Sequence, residues 1–427
     1  MKILPVKKIA GELKLPGDKS ISHRAAIIAA LAEGQTRIRN FATGADCRST
    51  LNCLRQLGVE IIEQDNPFVI AVIKGVGRQG FLAPGKPLDC GNSGTTFRLL
   101  AGALAGQEIE AALIGDESLS RRPMRRIIEP LAQMGAKIES NDGLPPLKIH
   151  GTKDLRAISC EMPVPSAQVK SCLLLAGLNA EGKTIVTEPA PTRDHTERML
   201  RRFGADVYTV GNTISISGKS ALTAGDIFVP GDISSAAFFI VAACCLPGSD
   251  LTIKDVGLNP TRTALLDFLR SVGANIEIAE RSTDDNEPHG DLRVSAASFG
   301  GKKGVIFGAE TAALIDELPI LAVLGTQLPG GLEVRDAAQL RVKETDRIAA
   351  VVKNLRQMKA SVTELPDGFR VERSPLKGAR LDSFSDHRIA MAFAIAALLA
   401  DGESEIANPA CVEVSFPEFF HALFSLV

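Results

Sequence analysis

The chain has 427 residues, 45% hydrophobic and 23% charged, with a formal net charge of −2. Such a length suits two or three globular domains. The near-neutral balance argues against a nucleic-acid or membrane-surface protein, and 4% aromatics with no Trp argue against base-stacking platforms.

Along the chain, Pro16-Gly17-Asp18-Lys19-Ser20-Ile21-Ser22-His23-Arg24 runs into the apolar stretch Ala25–Leu31 and reads as a turn opening a helix. Lys19, Ser20 and Arg24 stand at its N-terminal end, where unpaired N–H groups and the helix dipole suit an anion such as phosphate. The same residues also fit an ordinary N-cap with two solvated cations. The P-loop spacing is absent, because Asp18 separates Gly17 from Lys19. Gly91-Asn92-Ser93-Gly94-Thr95-Thr96 precedes the helix-like run Phe97–Ala105. It offers either a second anion-binding turn or a plain structural one. Ser120-Arg121-Arg122-Pro123 places two Arg before a Pro at a helix start. Pro163 to Lys170, including Ser166, Ala167 and Gln168, leads into a helix over Ser171–Leu178.

Farther on, Asp316-Glu317 interrupts the apolar stretch from Ala312 to Leu324 and suits either caps or acid–base work. Arg341 to Arg347 reads as helical, with Lys343 and Arg347 at i, i+4 and Glu344 and Arg347 at i, i+3. Asp386 is a natural N-cap for the apolar helix Ile389–Ala400. Arg388 then opposes the helix dipole, an arrangement that a bound anion would offset.

Ala- or Leu-rich helices end near Gly34, Gly106, Gly182, Gly248, Gly330 and Gly402, each expected at positive φ. Amphipathic helices that end at Gly58, Gly135, Gly204, Gly273 and, degraded, Lys359 alternate with them. The unit is helix, strand, helix, strand pair over roughly 70 residues, a repeat architecture. The sixth unit is incomplete, and Ile3–Leu15 would supply its missing strands. The expected domains are 1–17 plus 231–427, and 18–230, with a hinge at the matching Pro-Gly-Asp sequences of 16–18 and 230–232. Hinged clefts close on ligands. Cores are expected from Leu, Ile, Val and Ala. The eight dispersed Cys, without a Cys-x-x-Cys, read as reduced filler in a cytoplasmic protein, and no His pair has metal-ligand spacing. The N-terminus shows no signal-peptide pattern, and the longest apolar runs are too short to cross a bilayer.

Taken together, Pro-Gly-Asp-Lys-Ser at 16–20, Gly-Asn-Ser-Gly-Thr at 91–95, Arg-Pro-Met at 122–124, Arg-Val-Lys-Glu-Thr-Asp-Arg at 341–347 and Asp-His-Arg at 386–388 resemble the 3-phosphoshikimate 1-carboxyvinyltransferase family. The resemblance runs from about residue 9 to Phe419. It implies an α/β fold of two inside-out α/β barrel domains, each of three βαβαββ units. It implies transfer of the carboxyvinyl group of phosphoenolpyruvate to the 5-hydroxyl of shikimate 3-phosphate, in aromatic amino-acid biosynthesis. No metal or organic cofactor, nucleic-acid or membrane partner is implied, and a cytoplasmic monomer is expected. Gly17-Asp-Lys, Ser166-Ala-Gln-Val-Lys170, Arg193-Asp-His-Thr-Glu197 and Asn259-Pro-Thr-Arg262 are similar to the family's second class, often tolerant of glyphosate. Gly94 is nevertheless the small residue of sensitive members, and Val414 stands where first-class members have a Lys.

The resemblance assigns Lys19 to both substrates. Ser20, Arg24, Ser166, Ala167, Gln168 and Arg193 fall to shikimate 3-phosphate, with Lys343 on a hydroxyl. Gly94, Arg122, Gln168, Arg347 and Arg388 fall to phosphoenolpyruvate. Asp316 is the expected base for the 5-hydroxyl, and Glu344 handles the proton at C3. The rivals are the sibling transferase acting on UDP-N-acetylglucosamine and a non-catalytic anion binder. Against the first, Ser20 replaces its Asn and no Cys lies between Cys90 and Cys160.

Overall fold

The computed structural model describes residues 1–65, 69–279, 287–301 and 303–427. The chain falls into two compact units. The inserted unit holds Gly17–Val229 and Glu287. The terminal unit holds Met1–Pro16 and, from Pro230 onward, the other described residues.

Each unit is built outward from helices buried on all sides. In the inserted unit these are Lys19–Leu31, Gly94–Ala105 and Ala167–Gly177. Their Ala, Leu and Ile residues leave no polar face for solvent, the pattern of a core helix. Fully burying each Ile or Leu stabilises by about 1.5–3 kcal/mol. Gly102 lets two of them nearly touch, since a Cβ there would lie 2.1 Å from the Cys172 carbonyl oxygen. Outer helices such as Ala45–Gln56 are one-sided. They bury Cys47, Thr50, Leu51 and Leu54, an i, i+3, i+4, i+7 stripe.

Four-stranded sheets enclose the core helices, and their strand order repeats. In one, Leu88–Asp89 pairs parallel with Glu110–Ile114, which is antiparallel to Leu144–His150, itself antiparallel to Lys137–Asn141. The order recurs in Ser159–Glu161, Lys183–Thr187, Thr213–Ser217 and Val207–Val210. In the third sheet the parallel edge is Ile227–Phe228, so the unit's last strand closes onto Glu33–Arg39 near its start. Three βαβαββ units thus surround one core.

The terminal unit repeats the plan around the buried helices Ile233–Cys245, Leu318–Gly325 and His387–Leu398. The N-terminal segment does not all go to the sixth repeat. Lys2–Ile3 pairs with Ser404–Ala407 there, but Ala10–Lys14 becomes the parallel edge of the sheet containing Asp250–Gly257. The sixth sheet keeps three strands. A 3-10 turn at Pro409–Val414 and the helix Phe419–Phe424 follow its last strand. Phe419 packs edge-on against Phe238 at 5.8 Å between ring centroids and tilted against Phe239 at 5.6 Å. This core therefore uses Phe as well as aliphatic side chains.

Of the glycines in the first series, Gly34, Gly182, Gly248 and Gly402 have positive φ. Gly106 is a helix C-cap at φ −93°, and Gly331 rather than Gly330 carries the positive φ, +69°. The second series holds throughout: Gly58, Gly135, Gly204, Gly273 and Lys359 lie between φ +65° and +107°, each just after a helix C-cap. Among the described residues no helix is long and apolar enough to cross a membrane.

Candidate functional site

In the inserted unit, helix N-termini carry the first cluster. Asp18 caps Lys19–Leu31 by accepting from the Ile21 N–H at 2.9 Å. That cap fixes Lys19 in the first turn, with its ammonium 3.1 Å from Asp46 Oδ2 and its side chain 19% exposed. Arg24, one turn deeper, is buried. Its guanidinium donates to the Ser20 carbonyl at 2.8 Å, Thr196 Oγ1 at 2.7 Å and Ser171 Oγ at 2.9 Å. Burial, with repulsion from Arg193, brings the Arg24 pKa down to about 10, so it remains a cation at neutral pH. Arg193 donates to Ser20 Oγ at 3.2 Å. Ser20, Arg24 and Arg193 are therefore one assembly, although Arg193 follows Ser20 by 173 residues.

The other two core helices bring the rest. Ser93 caps Gly94–Ala105 and Ser166 caps Ala167–Gly177. The helix expected from Ser171 thus begins four residues earlier, because the Ser166 hydroxyl accepts from the Val169 N–H. Arg98 links the two, donating to the Gly94 carbonyl at 3.3 Å and Gln168 Oε1 at 2.6 Å. Gln168 Nε2 donates in turn to Thr95 Oγ1 at 2.9 Å. Arg122 does not open a helix. It lies between Glu117–Ser120 and Arg125–Gln133, and it donates to Asn92 Oδ1 at 3.0 Å and Ser118 Oγ at 3.2 Å. A Cβ on Gly94 would sit 3.3 Å from Arg122 Nη1, so Gly94, Arg122 and Gln168 are neighbours. A buried chain joins this region to the first helix. His23 Nδ1 meets Thr50 Oγ1 at 2.7 Å, Thr50 meets Thr96 at 2.6 Å, and Thr96 meets Ser93 at 2.8 Å. Burial, then the charges of Lys19 and Arg24, hold the His23 pKa well below its usual range.

The terminal unit carries the second cluster. Asp316 lies in the break between the helices Ala309–Ala313 and Leu318–Gly325. Three cations surround its carboxylate: Arg347 Nη1 at 3.6 Å, Lys343 Nζ at 3.9 Å and Arg388 Nη2 at 3.9 Å. Arg388 also donates to the Asp316 carbonyl at 2.8 Å. Asp386 caps His387–Leu398 and simultaneously takes Arg347 Nε at 2.7 Å. Arg347 Nη2 donates to Glu344 Oε2 at 2.6 Å. Asp316, Lys343, Glu344, Arg347 and Arg388 therefore form one constellation.

Lys343 and Arg347 do not share a helix, however. Asp346 accepts from the Ala349 N–H and starts the helix at Arg347, while Lys343 ends a 3-10 turn in non-helical backbone, at φ −84° and ψ −148°. The adverse dipole at Arg388 is met inside the protein, by the Asp386 cap and the Asp316 and Glu317 carboxylates.

The sequence profile described as EPSP synthase (3-phosphoshikimate 1-carboxyvinyltransferase) matches residues 3–423. The chain belongs to the EPSP synthase family. A 3-phosphoshikimate 1-carboxyvinyltransferase of Solibacter usitatus is 54% identical over 424 residues, 99% of this chain and 98% of that one. The protein of the same name from Coxiella burnetii (strain RSA 493) is 49% identical, over 97% of this chain and 94% of its own. The solved EPSP synthase of Acinetobacter baumannii is 42% identical with a TM-score of 0.88, over 100% of this chain and 97% of that one.

Behind the cluster, this EPSP synthase family chain uses buried supports whose pairing the sequence does not reveal, although Glu317 and Arg262 stand out in it. Glu317, 4% exposed, accepts from Ser234 and lies 3.7 Å from Arg262 and 3.9 Å from Arg388. Arg262 donates to Ser234 Oγ at 2.5 Å. Polar residues inside hydrophobic runs, Ser234 and Glu317, are the available signal, since such groups are buried only when partnered.

Proposed function

We propose a residue-by-residue division of labour for the family's reaction. In it the 5-hydroxyl oxygen of shikimate 3-phosphate attacks C2 of phosphoenolpyruvate while C3 gains a proton. The tetrahedral adduct then loses a proton from C3 and its C2–O bond to phosphate breaks. In the inserted unit, Lys19, Ser20, Ser166, Ala167, Gln168 and Arg193 hold the phosphorylated acceptor. Arg24, 2% exposed, adds charge and fixes the Ser20 carbonyl. Gly94, Arg122 and Gln168, with Lys19, meet the donor. In the terminal unit, Arg347 and Arg388 neutralise donor charge, Lys343 reaches a hydroxyl, Asp316 takes the 5-hydroxyl proton and Glu344 serves C3.

One observation carries this reading: Asp316 and Glu344 share a largely enclosed cluster with Lys343, Arg347 and Arg388, at 13% and 17% side-chain exposure for the two acids. A pure anion binder has no use for carboxylates there, whereas proton transfer beside anionic substrates needs both signs of charge. The test is phosphate release from phosphoenolpyruvate with alternative acceptors. Release is expected with shikimate 3-phosphate and not with UDP-N-acetylglucosamine. Release with the nucleotide sugar, or with neither, refutes the assignment.

The Gly94 geometry gives a second expectation. A methyl there would lie 2.7 Å from Arg98 Nη1 and 3.3 Å from Arg122 Nη1. Both are ends of flexible side chains, so the fold should survive while the donor's cation shifts. Gly94→Ala is expected to raise the phosphoenolpyruvate KM several-fold and the glyphosate inhibition constant more. Equal rises in competitive steady-state assays would rule out a selective clash.

A further inference from the structure

A second, wholly buried charge cluster lies beneath the acceptor residues of the inserted unit. Lys170, 1% exposed, sets its ammonium 2.8 Å from Glu188 Oε2 and 2.7 Å from Glu197 Oε1. Glu188 and Glu197 are 3% and 2% exposed. Burial, outweighing the attraction of Lys170, raises the Glu197 pKa. Burying charges is costly, and a hydrophobic cluster of equal volume is commonly as stable or more so. The position of the triad suggests what it does instead.

Lys170 is the fourth residue of the helix Ala167–Gly177, and its N–H donates to the Ser166 carbonyl at 3.0 Å. Its two partners bracket the segment 188–197, which carries Arg193. Glu188 stands just after the strand Lys183–Thr187, and Glu197 lies in the first turn of His195–Arg202. Between them Thr192 is held from both sides. Its hydroxyl and its N–H donate to Glu188, and its carbonyl accepts from Lys170 at 3.4 Å. Thr192 immediately precedes Arg193. The residues adjoining the triad form the next layer, in which Ser171 and Thr196 share a 2.6 Å hydrogen bond and both accept from Arg24. Arg24 in turn holds the Ser20 carbonyl, and Arg193 holds the Ser20 hydroxyl.

We propose that Lys170, with Glu188 and Glu197, is a positioning residue for the acceptor: the triad sets Arg193, Ser20 and the 166–168 helix entrance at the spacing that receives the shikimate phosphate. It touches no substrate. It acts through Thr192 on one side and through its own helix on the other. This rests on the reading of Ser20, Arg193 and Gln168 as acceptor ligands.

The test compares three variants by steady-state kinetics and thermal melting. Lys170→Met/Glu188→Gln/Glu197→Gln removes all three charges together, so no uncompensated ion is left inside. Its KM for shikimate 3-phosphate is expected to rise at least tenfold and by a clearly larger factor than the phosphoenolpyruvate KM, to which only Gln168 of the positioned residues contributes. Thr192→Val keeps the charges and cuts one tie to Glu188. It should raise the acceptor KM several-fold even if the triple variant does not fold. Arg193→Ala tests the underlying reading directly. If it leaves the acceptor KM unchanged, that reading fails. If Arg193→Ala raises the KM but Thr192→Val and every folded triad variant do not, only the positioning role is overturned. A lowered melting temperature with both KM values unmoved marks a merely structural triad and has the same consequence.

Discussion

Asp316→Ala is expected to lower kcat by about 10²–10⁴-fold, the usual contribution of a positioned general base. Acceptor and donor binding should suffer far less. The substitution removes one negative charge from between Lys343, Arg347 and Arg388, whose nearest atoms lie 3.6–3.9 Å from its carboxylate. Anionic substrates then meet a more positive cluster, so their affinity has no electrostatic reason to fall. Nor should Arg388 lose its place, because it is anchored at 2.8 Å on the Asp316 carbonyl, which the variant retains. Steady-state kinetics together with calorimetric binding of shikimate 3-phosphate separate the two effects. A variant with near-normal kcat would remove Asp316 from the mechanism, and one with equal losses in binding and turnover would make it a binding group.

The candidate site was legible in the sequence where a cap could be read directly. Asp18 and Asp386 are helix caps, each accepting an N–H two or three residues on, and they place Lys19 and Arg388 at helix starts without reference to the rest of the chain. Ser93, Ser166 and Asp346 cap helices in the same way, but the segments around them also read as a turn, a longer helix entrance or an unbroken helix, so the starts at Gly94, Ala167 and Arg347 were not legible. The repeat was legible, since the turn after each outer helix recurs in five places, even where Lys359 replaces glycine. What failed was spacing read in the wrong secondary structure. The i, i+4 relation of Lys343 and Arg347 has meaning only on a helix, and the Asp346 cap starts that helix too late. Partners distant in the chain were also out of reach. Asp46 is 27 residues from Lys19 and Thr196 is 172 from Arg24. The N-terminal strands divided between two sheets because Ala10–Lys14 fills the parallel edge beside Asp250–Gly257, a place that a count of repeats does not reveal.

Arg347→Met should be the most destabilising change at either cluster. Arg347 is 1% exposed and binds Asp386 at 2.7 Å and Glu344 at 2.6 Å, with Asp316 at 3.6 Å. Burial alone would lower its pKa, but the carboxylates of Asp386, Glu344 and Asp316 outweigh it and the pKa is raised. A cation with a raised pKa contributes stability that is complete below its unfolded value and lost only above its folded one. Raising the pH therefore does not remove the contribution in the parent protein, whereas substitution does. Methionine fills similar space but leaves Asp386, 0% exposed, without its counter-charge. Breaking a buried pair in this way costs about 3–5 kcal/mol. In a unit of this size that corresponds to a fall in melting temperature on the order of 10 °C. Asp386 keeps the Arg388 and Ile389 N–H donors of its cap, so the helix start should survive while the counter-charge is lost. Calorimetric melts of parent and variant check the expected fall. A variant within a degree or two of the parent would show that Arg347 is held for chemistry alone.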